Sequence, residues 1–191
     1  MDKNYWNQRY RDGQTGWDIG QVSQPLKEYI DQIEDKEISI LIPGCGNAHE
    51  AIYLWDQGFK NVFTLDVSEL ALQNFHKKCP DFPVKNLICE DFFEFDGQFD
   101  LILEQTFFCA LLPELRAKYV VKMKSLLKKE GKLVGLLFNT EFDGGPPFGG
   151  CEEEYRELFS QYFELITMTE AHNSIEPRSG RELFFIAKVK H

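Results

Sequence analysis

The strongest constraint on this chain is a repeated unit. A short apolar, β-branched run ends in glycine or an acid and passes straight into a helix-like segment. Ile38-Ser39-Ile40-Leu41-Ile42-Pro43 is the first run, and the turn Gly44-Cys45-Gly46 follows it. Such runs carry no polar face, so they read as strands covered on both sides. A second run at 61–65 ends at Asp66, and a third at 84–89 ends at Glu90-Asp91. A fourth, Phe99-Asp100-Leu101-Ile102-Leu103, ends at Glu104-Gln105, and 132–138 forms a fifth. Strands alternating with helices call for a mostly parallel sheet between two helical layers.

The helices have local signals. Ser23-Gln24-Pro25 opens one that reaches about Ile33, with Ser as cap and Pro in the first turn. Asn47-Ala48-His49-Glu50 has the spacing of a capping box. Ser68 caps a helix to about Lys78, and Pro113 starts one to about Lys129 that Gly131 stops. A short acidic helix covers 151–160, and 163–169 and 182–189 close the chain as an antiparallel hairpin. The first 22 residues are polar and aromatic and read as an irregular arm. The expected architecture is one α/β domain over 1–191 with a seven-stranded, mostly parallel sheet. The glycine-rich loop at 139–150 and the arm are candidate lids.

Charge narrows the partners. The net charge is −10 over 191 residues, and the basic residues form no long run. An acidic surface repels phosphate backbones and anionic lipid, so neither nucleic acid nor a membrane surface is an expected partner. No stretch approaches the roughly 20 apolar residues of a membrane span. The five cysteines include no C-x-x-C pair, and the start of the chain has no apolar signal core. The expectation is free thiols in a reducing, cytoplasmic setting. His49 and His76 lack metal-ligand spacing with any cysteine and read as helix-surface residues, so no metal is expected.

Gly44 and Gly46, between a strand and a helix, let a ligand approach the backbone beside the positive end of a helix. A plain tight turn would need the same glycines. Asp66 adds weight: it stands at the next strand tip, twenty residues past Gly46, where doubly wound folds accept a ribose diol. A dinucleotide fingerprint wants a third glycine where this chain has His49. A ligand carrying adenosine and an amino acid but no pyrophosphate fits better, and S-adenosylmethionine is that ligand. Asp91 and Phe92, at the third strand tip, suit its adenine.

Taken together, Ile42-Pro43-Gly44-Cys45-Gly46, Leu65-Asp66-Val67-Ser68, Glu90-Asp91-Phe92-Phe93 and Phe99-Asp100-Leu101-Ile102 resemble class I S-adenosylmethionine-dependent methyltransferases. Thr106-Phe107-Phe108-Cys109-Ala110 and Gly144-Gly145-Pro146-Pro147-Phe148 resemble, more narrowly, the thiopurine-methyltransferase-type superfamily and its plant thiol and halide methyltransferases. The resemblance implies a Rossmann-like sheet of order 3-2-1-4-5-7-6 with strand 7 antiparallel. It implies that Trp6, Tyr10 and Trp17 close over the cofactor, with Tyr10 standing where the branch usually has Trp. It also implies that Gln105, in place of a Tyr, meets the cofactor through its backbone. The implied reaction moves a methyl group to a small soft nucleophile: a thiol, hydrosulfide, halide or thiopurine-like molecule. Such acceptors ionise readily, so no catalytic base is assigned.

Two other readings compete. One is a nicotinamide-dependent oxidoreductase on a similar sheet, disfavoured by His49 and by the terminal hairpin. The other is a non-catalytic module that binds S-adenosylmethionine without turnover. Cys109 reads as a packed thiol, and Arg178 and Arg181 read equally as turn residues or as contacts to an anionic acceptor.

Overall fold

A computed structural model describes residues 1–190. The strands are β1 (Ile40–Pro43), β2 (Val62–Asp66), β3 (Leu87–Cys89), β4 (Phe99–Gln105), β5 (Leu127–Phe138), β6 (Phe163–Glu170) and β7 (Glu182–Val189). The helices are α1 (Lys3–Arg11), α2 (Gln24–Ile30), α3 (His49–Asp56), α4 (Glu69–Lys78), α5 (Arg116–Ser125) and α6 (Glu152–Ser160). The strands form one seven-stranded sheet of order β3-β2-β1-β4-β5-β7-β6. β1, β2, β3, β4 and β5 pair in parallel, and β7 runs antiparallel to both β5 and β6. The fold, strand order and terminal hairpin are those expected from the sequence.

The strict alternation of side chains along each strand divides the core in two. Leu41, Ile102, Leu133 and Leu137 face one layer, with Tyr119, Val120 and Met123 of α5 and Tyr155 and Phe159 of α6. Ile40, Ile42, Leu101, Leu103, Val134 and Leu136 face the other, with Leu26 and Ile30 of α2, Ala51 and Leu54 of α3 and Leu72 and Phe75 of α4. All of β1 is buried for this reason.

Several local expectations are corrected. The arm is not wholly irregular, because residues 3–11 form α1, whose N-terminus is capped by Asp2 accepting from Tyr5 N–H. α1 buries no residue of its own. It is held by α4, where Asn7 Oδ1 accepts from Ser68 Oγ at 2.8 Å and from Leu70 N at 3.3 Å. Ser23 makes no side-chain cap, and α2 ends at Ile30 rather than Ile33. Residues 84–86 form a 3₁₀ turn ahead of β3. The helix expected to 129 stops at Ser125, since Leu127 pairs with Phe99 and the chain enters β5 early. Gly131 lies inside that strand, where a Cβ would come within 2.9 Å of the Phe99 carbonyl oxygen.

The chain winds from β1 out through β2 to β3, then returns to lay β4 on β1's other side. The carboxyl ends of β1 and β4 therefore open a crevice at the point where the connections diverge, the usual ligand position in open α/β sheets.

Candidate active site

A cavity of about 760 Å³ lies over that crevice. Its wall includes every site residue singled out from the sequence: Trp6, Tyr10, Trp17, Gly44, Gly46, Asp66, Asp91, Phe92 and Gln105. Strand order lays them out along the sheet edge. Asp91 and Phe92 follow β3, Asp66 ends β2, the glycine turn follows β1, and Gln105 ends β4.

The glycine turn is built for close approach. Gly44 and Gly46 have φ of +57° and +54°, in the left-handed region that glycine enters freely. A Cβ at Gly44 would run into the Phe107 ring, and one at Gly46 would lie 2.6 Å from the Tyr10 hydroxyl oxygen. Asp66 braces the turn: Oδ2 accepts from Gly46 N at 2.9 Å and Oδ1 from Ser68 N at 2.7 Å. Burial raises its pKa, against the opposing pull of the Ser68, Gly46 and Val67 N–H groups. Each carboxylate oxygen has lone pairs to spare for a hydroxyl.

The capping box is not formed. Ala48, at φ +55°, occupies the N-cap of α3 without a side-chain bond. Asn47 Nδ2 instead donates to Asp18 Oδ2, and His49 Nε2 bonds Asp18 Oδ1 at 2.7 Å. Glu50 is buried and accepts from Ser23 N at 3.2 Å. His49 is thus a cavity wall residue rather than a plain surface one. Burial opposes ionisation of Asp18, but donors at Gly20, Asn47 and His49 outweigh it and hold the pKa below the ordinary value. A pyrophosphate at the start of α3 would meet this ionised carboxylate, which disfavours a dinucleotide.

The arm roofs the cavity with rings. Trp17 meets Trp6 and Tyr10 edge to face, with centroids 5.5 and 5.9 Å apart. Burial, first, and the nearby Asp66 charge raise the Tyr10 pKa, so its hydroxyl stays protonated. Phe92 is buried within the core and meets Phe93 and Phe107 edge to face, while Phe93 is less buried and also lines the cavity.

Beyond Gln105 the chain turns sharply. Thr106 has φ +59°, a rare state for a β-branched residue and one that clusters at functional sites. Glu104 imposes it: Oε1 accepts from Phe107 N at 2.8 Å and from Phe108 N at 2.9 Å. That turn puts Phe107 over Gly44 and Cys109 at the cavity wall. The Cys109 thiol donates to the Thr106 carbonyl at 3.3 Å, and burial raises its pKa, so it is a packed thiol.

The far end of the cavity is formed by Leu111, Phe138, Phe142, Pro146, Pro147 and the arginines Arg178 and Arg181. Arg178 is buried and bound to Glu182 at 3.1 Å, while Arg181 is exposed, its guanidinium 5.3 Å from the Phe142 ring centre. The 139–150 loop is pinned: Phe148 N donates to the Cys109 carbonyl at 2.7 Å, and Arg116 Nη2 to the Gly149 carbonyl at 2.6 Å. Every carboxylate of the wall — Asp2, Asp18, Glu50, Asp66, Glu90 and Asp91 — lies on the arm or the β1–β3 side. Nothing in the sequence marks Asp18 or Arg9, His49 reads there as a helix-surface residue, and Thr106 and Phe107 stand out only as part of a family-like motif. The positive φ at Thr106 and long-range bonds reveal their place in the site.

These features fit an adenosyl amino acid: a glycine turn on the cavity wall, closed over by Phe107 and Tyr10, an acid at the ribose position and an aromatic roof. Among the described residues no group of His, Cys, Asp and Glu could hold a metal, and no helix is long and apolar enough to cross a membrane. All five cysteines are free.

The thiopurine S-methyltransferase family model matches residues 1–189. The chain is 31% identical over 184 residues to probable thiol methyltransferase 2 of Arabidopsis thaliana, covering 93% of this chain and 81% of that one. It is 30% identical over 189 residues to thiocyanate methyltransferase 1 of Brassica oleracea, covering 95% and 83%. Among solved structures, 1,6-didemethyltoxoflavin-N1-methyltransferase of Burkholderia thailandensis, with S-adenosylhomocysteine bound, superposes with a TM-score of 0.80 at 18% identity. That match covers 99% of this chain and 87% of the other. A TehB-like S-adenosylmethionine-dependent methyltransferase of Corynebacterium glutamicum matches at 0.71 and 19%, covering 98% of each.

Proposed function

The chain belongs to the thiopurine S-methyltransferase family and is an S-adenosylmethionine-dependent methyltransferase, and from that premise we propose how its cavity is used and what it methylates. The acceptor is a small soft nucleophile that reacts as an anion: a thiolate, hydrosulfide, thiocyanate or halide. One observation carries this. The acceptor end of the cavity holds Arg178, Arg181 and apolar walls, and no carboxylate lines it.

Bound S-adenosylmethionine supplies a methyl group on a positively charged sulfur. Asp66 accepts the ribose hydroxyls with its remaining lone pairs, and Asp91 and Phe92 take the adenine edge and face. Gly44 and Gly46 admit the methionyl part, and Trp6, Tyr10 and Trp17 place ring faces beside the sulfonium, each worth about 0.5–2 kcal/mol. Gln105, at the end of β4, points the backbone toward the junction between cofactor and acceptor. Arg181 draws an anion in, and a nearby cation also lowers a thiol's pKa. With the acceptor already anionic, catalysis rests on in-line placement and exclusion of water. The arm and the pinned 139–150 loop provide the exclusion.

The free cysteines support a reducing, cytoplasmic setting, and the net charge of −10 disfavours nucleic acid as a partner. The test is a turnover screen with S-adenosylmethionine and aliphatic thiols, aromatic thiols, hydrosulfide, thiocyanate and iodide, reading S-adenosylhomocysteine. Phenols and amines serve as the hard-nucleophile comparison. Turnover with sulfur or halide acceptors alone supports the reading, and a preference for oxygen or nitrogen acceptors rejects it. Binding without turnover on any acceptor favours the non-catalytic module.

A further inference from the structure

Among the lysines and arginines of the cavity wall, Lys3 is paired with Glu69 and Arg178 with Glu182. Arg9 and Arg181 have no carboxylate partner among the described residues. Arg181 is exposed at the acceptor end. Arg9 lies in the aromatic roof, beside Tyr5 and Trp17.

Arg9 is held in place without being neutralised. It sits on α1 between Trp6 and Tyr10. Its guanidinium carbon is 5.7 Å from the Tyr5 ring centre and 5.8 Å from that of Trp17. Nη1 donates to Gln14 Oε1 at 2.9 Å, a neutral amide. Nε is buried and has no hydrogen-bond partner. Buried donors of charged groups are nearly always satisfied, and a cation beside a sulfonium is unfavourable unless an anion sits with it.

The layout of the site supplies that anion. With ribose at the tip of β2 and adenine at the tip of β3, the methionyl end lies at the glycine turn, directly under the arm. That end carries the cofactor's only carboxylate, separated from the sulfonium by a short aliphatic chain. Resting on the cofactor placement above, we propose that Arg9 receives the methionyl carboxylate, with Nε filling its missing bond. Arg9 thereby selects for the complete amino acid and fixes the sulfonium's position beneath Trp6 and Trp17.

The test is binding, without an acceptor. Calorimetry compares S-adenosylhomocysteine with its decarboxylated analogue, S-adenosyl-3-thiopropylamine, on the wild type, Arg9→Met and Arg9→Lys. Arg9→Met keeps the aliphatic packing against Trp17 and should weaken S-adenosylhomocysteine by about tenfold or more, as loss of a charge-assisted pair does. It should leave the decarboxylated analogue within about twofold, and Arg9→Lys should recover part of the loss. Thermal unfolding checks that both variants fold. Equal losses for the two ligands would make Arg9 a packing residue and overturn the proposal, as would unchanged S-adenosylhomocysteine affinity in both variants. If the wild type binds neither ligand, the cofactor placement itself fails, an outcome distinct from either.

Discussion

Arg178 Nη2 donates to the main-chain carbonyl of Trp17 at 2.6 Å, joining residues 161 apart in sequence. The same guanidinium reaches Glu182 Oε1 through Nη1 and lies 5.4 Å from the Phe138 ring centre. One buried cation therefore ties the aromatic arm to β7 and to the end of β5. The aromatic roof of the cavity and its far wall thus share a fastening.

Removing that cation should be costly. Arg178 and Glu182 side chains are only 10% and 4% exposed, and deleting one partner of a buried pair typically costs about 3–5 kcal/mol because the other charge is stranded. Arg178→Met should lose stability in that range by urea unfolding. Arg178→Met with Glu182→Gln should lose clearly less than the two single changes added together. A single-variant loss under about 1 kcal/mol would show the pair to be solvated.

Glu104 should make stability depend on pH. Burial raises its pKa to about 7 from 4.5, with Glu182 adding to the rise and the Phe108 and Phe107 N–H groups opposing it. A folded-state pKa above the unfolded one means that the neutral acid is the favoured form. Its contribution is complete below about pH 4.5 and is lost as pH rises through about 7, roughly 3 kcal/mol in all. Glu104→Gln keeps an acceptor for the two N–H groups and removes the titration. The variant should lose less stability than the wild type between pH 5 and 8 in urea-unfolding series, and parallel profiles would contradict this.

Asp66 is expected to be a binding residue first. Hydrogen bonds to a charged group contribute about 1.5–3 kcal/mol each, so Asp66→Ala should weaken S-adenosylhomocysteine at least about tenfold. The variant also loses the brace on Gly46. Circular dichroism should stay native, and unchanged affinity by calorimetry would remove Asp66 from the site.

Deleting residues 1–20 should leave the sheet folded. α1 buries none of its own residues, and Ser68 still caps α4 through the Ala71 N–H. The deletion strips Trp6, Tyr10, Trp17, Asp18 and Arg9 from the cavity and should cut cofactor affinity and turnover together. Normal turnover in the truncated protein would show that the arm is no lid.

What could be read in advance followed from local spacing. Ile40-Leu41-Ile42 and Leu101-Ile102-Leu103 send alternate side chains into two different cores, so their strands and the glycine turn between layers were legible. α1 was not, because its rings at Tyr5, Trp6 and Tyr10 stand among polar residues and none of its residues is buried, and part of its support comes from Asn7 bonding Ser68. The start of β5 was missed because its residues Lys128-Lys129-Glu130 look like an exposed helix end. There the pairing of Leu127 with Phe99 overrides propensity. The Asn47–Glu50 spacing misled for a similar reason: Asp18, 29 residues upstream, captures Asn47. Contacts of that range leave no mark in a single sequence.

The acceptor end makes its own prediction. Arg181 attracts any monoanion, so charge alone does not rank the halides. Ranking comes from the cost of stripping water before entry among Phe138, Phe142, Pro146 and Pro147, and that cost is lowest for the large, weakly hydrated iodide. Soft polarisability favours attack on carbon in the same order. Activity should therefore fall from iodide to bromide to chloride, with thiols or hydrosulfide at least comparable to iodide. Arg181→Gln should raise KM for all anionic acceptors by similar factors without reordering them, since it removes the shared charge and leaves the dry walls. Headspace gas chromatography of methyl halides and methyl thioethers measures both series. If chloride outruns iodide, dehydration does not control entry. If no halide or thiol is methylated while an oxygen acceptor is, the soft-nucleophile assignment is wrong and the methyltransferase assignment alone stands.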